Sequence, residues 1–299
     1  MPGLSRSDPF KSILQSNSFK YFLFLAPGLF VVLMLSLVPL SSMLLTSLRN
    51  TNLTRLQQAR FIGLENYINM FQDSRFLESL RRQAIMSFAG VAFQVSVSLF
   101  LAILLNKLTG ALRILRGIVT LPFVIPPVVV ALIWLTLLTP MISPINAFLR
   151  ETGLGDPEWL TIGWRAVISI IVADTWNNFP FSAIILISAL QSISHDVYES
   201  ADLDGANFMQ KTFFITITMI RWAIVLCIMF RLIESLKAFP LIFILTFGGP
   251  GTATEVTNFY AYLQNFQFNR VGYSSAMAFT MFIITVILSI AVGKLIKDT

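Results

Sequence analysis

Residues 84–106 read AIMSFAGVAFQVSVSLFLAILLN, twenty-three positions without one ionisable side chain. A helix needs about 20 such residues to cross the roughly 30 Å of hydrocarbon in a bilayer. Lipid offers a backbone amide no partner, so an apolar run this long takes the form in which its amides bond one another. Five further apolar stretches of spanning length lie at 21–46, 118–139, 165–190, 222–247 and 273–294, some of them interrupted by ionisable residues. The expected fold is all-α: a polytopic membrane protein with six transmembrane helices forming one domain over 21–297, after an N-terminal segment 1–20.

Composition agrees with that reading. Of 299 residues, 56% are apolar and only 12% charged, against roughly 25% charged in soluble domains, so water is not the main solvent of this chain. The net charge of +6 does not point to nucleic acid, because the basic residues are scattered between apolar blocks without a stripe of interleaved aromatics. Cys227 is the only cysteine and has no second thiol for a bridge or a metal site. The first apolar run is longer than a signal-peptide core and lacks a small-x-small cleavage pattern, so it reads as an uncleaved span. Pro27, Pro39, Pro122, Pro126, Pro127, Pro180 and Pro240 fall in or beside spans, where neighbouring helices can satisfy the carbonyls they free.

The connecting segments differ in character. Between the first two spans, Ile68, Phe71, Phe76 and Leu80 have the spacing of a short amphipathic surface helix. Segment 140–164, with Pro144, Gly153, Gly155 and Pro157, reads as an irregular surface loop. Six crossings put both termini on one side, together with the loops after spans two and four. That side carries ten Lys and Arg against nine opposite, so the positive-inside rule decides only through the short basic loop 107–116, which favours cytoplasmic termini.

The loop after span four reads His195-Asp196-Val197-Tyr198-Glu199-Ser200-Ala201-Asp202-Leu203-Asp204-Gly205-Ala206-Asn207-Phe208. Asp196 and Glu199 have capping-box spacing and Gly205 supplies a helix end, which predicts a helix of about two turns. Tyr198, Ala201 and Gly205 share one face, small enough for another protein to approach closely. A short polar helix at the aqueous ends of spanning helices has few hydrophobic reasons to form, and docking explains it.

This segment resembles the signature loop of the permease subunits of bacterial ABC importers, E-A-A-x-x-D-G-A followed about nine residues later by an I-T-L-P-like close. Glu199, Ala201, Asp204, Gly205, Ala206, Ile215 and Thr216 match; Ser200 replaces the second alanine and Thr218 stands where the family has proline. Phe61-Ile62-Gly63-Leu64-Glu65-Asn66-Tyr67, Leu121-Pro122-Phe123-Val124-Ile125-Pro126-Pro127 and Gly248-Gly249-Pro250-Gly251 resemble segments of the carbohydrate branch, the maltose and glycerol-3-phosphate type. The resemblance implies a cytoplasmic coupling helix that fits a groove on an ATPase, with Tyr198, Glu199, Ala201, Asp204, Gly205 and Ala206 as its coupling residues. It also implies a multi-pass location in the bacterial inner membrane, two ATPase subunits that bind ATP and Mg, a second homologous permease and an extracytoplasmic solute-binding protein.

Ionisable groups at membrane depth are costly and usually face a partner or a watery path. Arg231, Glu234 and Lys237 recur every third residue and so form a stripe, readable as an internal ion-paired strip or as a wall of a solute path. Asp174, Trp176, Asn177 and Asn178 precede Phe179-Pro180 and offer the carboxamides and aromatic face that suit a sugar; a hydrogen-bonded kink at Pro180 accounts for them equally. Gln94 and Trp134 are weaker path candidates. No catalytic constellation and no metal set is found: His195 is the only histidine, and no phosphate-cradling G-x-x-x-x-G-K-[ST] occurs. The chain is therefore expected to be no enzyme and to hold no cofactor of its own. The rival reading is a secondary transporter driven by an ion gradient, which predicts inverted repeats with discontinuous helices; no repeat is visible in the sequence.

Overall fold

Polar flanks set where each lipid-compatible helix ends. The computed structural model describes residues 17–106 and 114–297; segment 1–20 lies outside the described residues as far as residue 16, and so do Lys107 and Arg113 of the basic loop. Helix α1 (Asn17–Ser47) is followed by the short surface helix α2 (Glu65–Gln72). Helix α3 (Ser74–Asn106) starts well before the apolar run at 84, because Asp73 caps it: Oδ1 accepts from the amides of Arg75 at 2.9 Å and Phe76 at 3.4 Å. The amphipathic helix expected across Ile68, Phe71, Phe76 and Leu80 is thus divided at Asp73. In α2 the buried residues are Asn66 and Met70, while Ile68 and Phe71 are exposed; Phe76, in α3, is fully buried.

The third crossing is broken. Helices α4 (Ile114–Val124) and α5 (Pro127–Leu138) meet at 102°, since Pro126 and Pro127 cannot continue the ladder of amides. Segment 140–164, read as irregular, contains α6 (Pro144–Glu151), capped by Ser143 Oγ on the Asn146 amide at 3.0 Å. The Asn146 carboxamide in turn holds the loop through Asp156, the Pro157 carbonyl and the Trp159 indole.

Helix α7 (Gly163–Gln191) is the fourth crossing, with Pro180 inside it, and α8 (His195–Leu203) follows. Next come α9 (Phe208–Met219), π-helical over Lys211–Thr216, and α10 (Arg221–Ser235), which leaves α9 at 69°. The stretch read as one span over 222–247 is discontinuous: α10 stops at Ser235 and α11 (Pro240–Leu245) resumes beyond an unwound segment. Helix α12 (Thr257–Tyr262) precedes α13 (Val271–Lys297). Among the described residues four helices cross a membrane by length and hydropathy, or six if each bent pair is one crossing. No strand occurs among these residues; Arg49 and Phe61 form an isolated bridge.

Helix α7 is the centre of the bundle, packed on α3 along much of its length and touched by α4, α5, α10 and α11. Helix α1 packs along α13 and leaves apolar side chains such as Phe24 and Leu35 exposed, as a lipid-facing helix does. The α1–α13 junction needs glycine. The Gly272 amide bonds the Thr51 carbonyl at 3.0 Å, and a Cβ there would stand 2.0 Å from the Arg49 carbonyl oxygen. These contacts define one end of the bundle, which also holds Asp73, Glu255, Tyr260 and Tyr273. Asn106, His195, Tyr198 and Thr216 gather at the opposite end around a pocket.

Candidate functional site

Two sites carry the polar chemistry. The first is α8 at the end away from the α1–α13 junction. It spans nine residues, and its C-terminus closes as a Schellman motif: the Ala206 amide bonds the Ala201 carbonyl at 2.9 Å and the Gly205 amide bonds the Asp202 carbonyl at 3.1 Å. That closure requires the left-handed φ of +73° found at Gly205. The expected capping box is corrected. Ser194 occupies the N-cap position without a side-chain bond, Asp196 sits inside the first turn, and Glu199 accepts from or pairs with His195 Nδ1 at 2.9 Å. A true capping box follows one helix later, where Asn207 Oδ1 accepts from the Gln210 amide at 2.9 Å and Gln210 Oε1 accepts from the Asn207 amide at 2.8 Å. Its N-x-x-Q spelling was available in the sequence.

Of the face expected to meet a partner, Tyr198 and Ala201 are turned inward while Gly205 stays exposed. Ala201 is buried, and the Tyr198 hydroxyl bonds Thr216 Oγ1 at 3.0 Å, fastening α8 to α9. The Lys211 ammonium adds an ion pair with Asp202. What α8 and its C-terminal turn present outward is Glu199, Leu203, Asp204 and Gly205, with Leu203 90% exposed. Beside it an open groove of about 300 Å³ runs past Gly205, Ala206, Gln210 and Phe214. A helix fastened on one side, with a bare leucine on the other, is a rigid knob. Leu203 and Phe214 escaped notice in the sequence because an apolar residue in a polar loop reads as packing until its surroundings are known.

The second site lies inside the bundle. Arg231 of α10, 4% exposed, donates from Nη2 to Asp174 Oδ2 of α7 at 2.7 Å and from Nε to Gln94 Oε1 of α3 at 2.8 Å. Gln94 Nε2 donates to the Asn178 carbonyl at 3.0 Å and to Ser182 Oγ at 3.1 Å. Asn178 Nδ2 donates to Asp174 Oδ1 at 3.0 Å. Three helices are thereby joined through one buried ion pair. Next to it the unwound segment between α10 and α11 has its carbonyls satisfied from other helices: Gln83 Nε2 donates to the Ser235 carbonyl at 3.1 Å and Asn258 Nδ2 to the Leu236 carbonyl at 2.6 Å. Non-helical backbone at membrane depth persists where protein or a wet cavity surrounds it.

A cavity of about 140 Å³ opens there, lined by Asp174, Asn177, Asn178, Arg231, Glu234 and Lys237 together with Phe239 and Pro240. The structure thus gathers six of the sequence-derived path candidates. The other three lie elsewhere. Gln94 is fully buried with both ends of its amide engaged, a bridge between helices and not a wall. Trp134 and Trp176 pack edge to face at 6.2 Å beside the core. The stripe reading of α10 is also refined. Arg231 reaches across to α7, whereas Lys237, past the helix end, folds back on Glu234 at 2.7 Å. Asn177 supports a kink, but not the expected one: its Nδ2 donates at 2.6 Å to the Pro122 carbonyl, which lacks its usual i+4 donor because Pro126 has no amide hydrogen and otherwise accepts from the Ile125 amide at 3.2 Å. Among the described residues no group of three His, Cys, Asp or Glu side chains is placed to hold a metal ion.

Comparison with known proteins gives both sites a context. Residues 94–298 match the model of the family described as "Binding-protein-dependent transport system inner membrane component". Among curated relatives, the trehalose/maltose transport system permease protein MalF of Thermococcus litoralis is 28% identical over 280 residues, 93% of this chain and 94% of that protein. The probable ABC transporter permease protein YurN of Bacillus subtilis is 30% identical over 289 residues, 95% of this chain and 98% of that one. Among solved structures, a bacterial ABC transporter involved in the import of the acidic polysaccharide alginate superposes with a TM-score of 0.81 at 23% identity, covering 97% of this chain and 98% of its own. That last likeness concerns the fold alone.

Proposed function

Because the chain belongs to the family of binding-protein-dependent transport system inner membrane components, an ABC transporter permease and not an ion-gradient-driven carrier or an enzyme, we propose that it imports a sugar or related polyol and that α8 is its grip on an ATPase. The relative named for trehalose and maltose supports the solute class. In this reading the end bearing α8 is cytoplasmic, as are both termini, and the end holding Asp73 and Glu255 faces an external solute-binding protein. Two ATPase subunits hold ATP and Mg, and a second homologous permease completes the path. Residues Asp174, Asn177, Asn178, Arg231, Glu234 and Lys237 form this chain's share of that path.

The observation that carries the reading is the two-sided character of α8. Tyr198 and Asp202 fasten it to α9, and α9 runs into α10, whose far end borders the cavity. Leu203 projects from the opposite side into water, where an apolar side chain gains by entering a partner's groove. Movement of the ATPase at Leu203 is then transmitted to Arg231 and Glu234 through α9 and, across the 69° bend, α10, and each nucleotide state selects one pore state.

Leu203→Arg and Glu199→Lys test this, since both residues are exposed and the one bond of the Glu199 side chain is to the likewise exposed His195. The assembled importer is purified by a tag on this chain, and recovery of the ATPase together with solute-stimulated ATP hydrolysis are measured. Loss of either, with unchanged membrane insertion, is expected. Full recovery and full stimulation in both variants would remove α8 as the coupling element.

A further inference from the structure

The charges around the intramembrane cavity cancel pairwise. Four ionisable side chains border it, Asp174, Arg231, Glu234 and Lys237. Arg231 closes on Asp174 at 2.7 Å and Lys237 on Glu234 at 2.7 Å. Arg231 is further occupied by Gln94, and Asp174 by Asn178. Among the described residues this chain's wall therefore carries no net charge and no cation free to meet an anion. A phosphate, sulfonate or uronate entering such a cavity leaves water without gaining a counter-ion, an unfavourable transfer in a low-dielectric interior. A neutral polyhydroxy solute needs only hydrogen-bond partners and an apolar face. Asn177 and Asn178 have their amide nitrogens engaged by backbone and Asp174, which leaves carboxamide oxygens as acceptors for hydroxyl groups. Phe239 supplies an aromatic surface in the same lining.

We infer that the solute crossing this wall is uncharged, and that Glu234 sets the restriction by neutralising Lys237. This rests on the cavity being part of the solute path. The two pairs differ in kind. Arg231 and Asp174 are held in a buried network that joins three helices, whereas the Glu234 and Lys237 side chains are 56% and 59% exposed and bridge only each other. Glu234 can therefore lose its charge without loss of the fold, and Lys237 would then face the cavity as an uncompensated cation.

The assembled importer, in lipid nanodiscs without its solute-binding protein, is titrated with radiolabelled maltose and with digalacturonate, disaccharides alike in size and different in charge. The wild type is expected to prefer maltose by about tenfold or more, equivalent to about 1.4 kcal/mol. Glu234→Gln should reduce or invert that ratio by a similar factor, and Lys237→Gln should widen it. Equal binding of both probes by the wild type, or a ratio that neither variant moves, overturns the charge argument and leaves the path in place. Binding of neither probe by an importer whose ATPase remains coupled removes the cavity from the path, and the inference falls with it.

Discussion

Arg231 Nη2 lies 2.7 Å from Asp174 Oδ2, and this pair is the joint at which α10 is fixed to α7. The arginine is almost wholly enclosed while the carboxylate keeps an edge on the cavity, with side-chain exposures of 5% and 24%. Breaking such a pair strands one charge; removing both partners together removes the mismatch as well. Arg231→Met or Asp174→Ala alone is expected to destabilise the protein by about 3 kcal/mol, and the double variant by less than the sum of the two. Thermal unfolding in detergent of the four members of the cycle measures this. Strict additivity would mean that the pair is not coupled.

Much of this joint could be anticipated, and the part that could not has a physical cause. Arg231, Glu234 and Lys237 stand three apart, so a stripe was legible, but the helix ends at Ser235 and the stripe ends with it. Nothing in the apolar run up to 247 marks that break except Pro240, and the capping donors Gln83 and Asn258 lie far away in sequence. Asn177 had the right character, a carboxamide serving a proline kink, yet the proline is on another helix. Pairing between helices is a property of packing, and local periodicity does not contain it. The C-terminus of α8 is different: Gly205 fixes it through backbone preference alone, and that was readable directly, whereas the N-terminal capping box read at Asp196 is not formed.

At the opposite end Asp73 links three elements. Its Oδ2 accepts from the Tyr260 hydroxyl at 2.7 Å and the Tyr273 hydroxyl at 2.8 Å, while Oδ1 caps α3. Burial pushes the carboxyl up, but these hydroxyl and amide donors outweigh it and hold it below its ordinary value of 3.8. Burial also pushes the Tyr260 hydroxyl up, so it remains a donor at neutral pH. A depressed folded value means that the stabilisation is present above the unfolded carboxylate range and is lost as pH falls through the folded value. Asp73→Asn is therefore expected to cost about 1–2 kcal/mol near pH 7, with the difference from wild type closing below about pH 4. Unfolding temperatures of both proteins across that range provide the check; a gap that persists or widens in acid contradicts the account.

The neighbouring Arg75–Glu255 pair makes an asymmetric prediction. Arg75 grips the carboxylate with two bonds, Nε to Oε1 at 2.8 Å and Nη2 to Oε2 at 2.6 Å, and its guanidinium lies over the Tyr260 ring, 5.0 Å from the centroid. The Glu255 side chain is 3% exposed and that of Arg75 is 42% exposed. Loss of the arginine strands a buried carboxylate, whereas loss of the carboxylate's charge leaves an arginine that can turn to water. Arg75→Ala is expected to cost about 3 kcal/mol and Glu255→Gln only about 1 kcal/mol. Since both residues stand at the start of α3 and in the loop before α12, the loss should appear in unfolding of the detergent-purified chain and not in recovery of the ATPase at α8. Equal costs, or the reverse order, would mean that Glu255 finds another partner when Arg75 is removed.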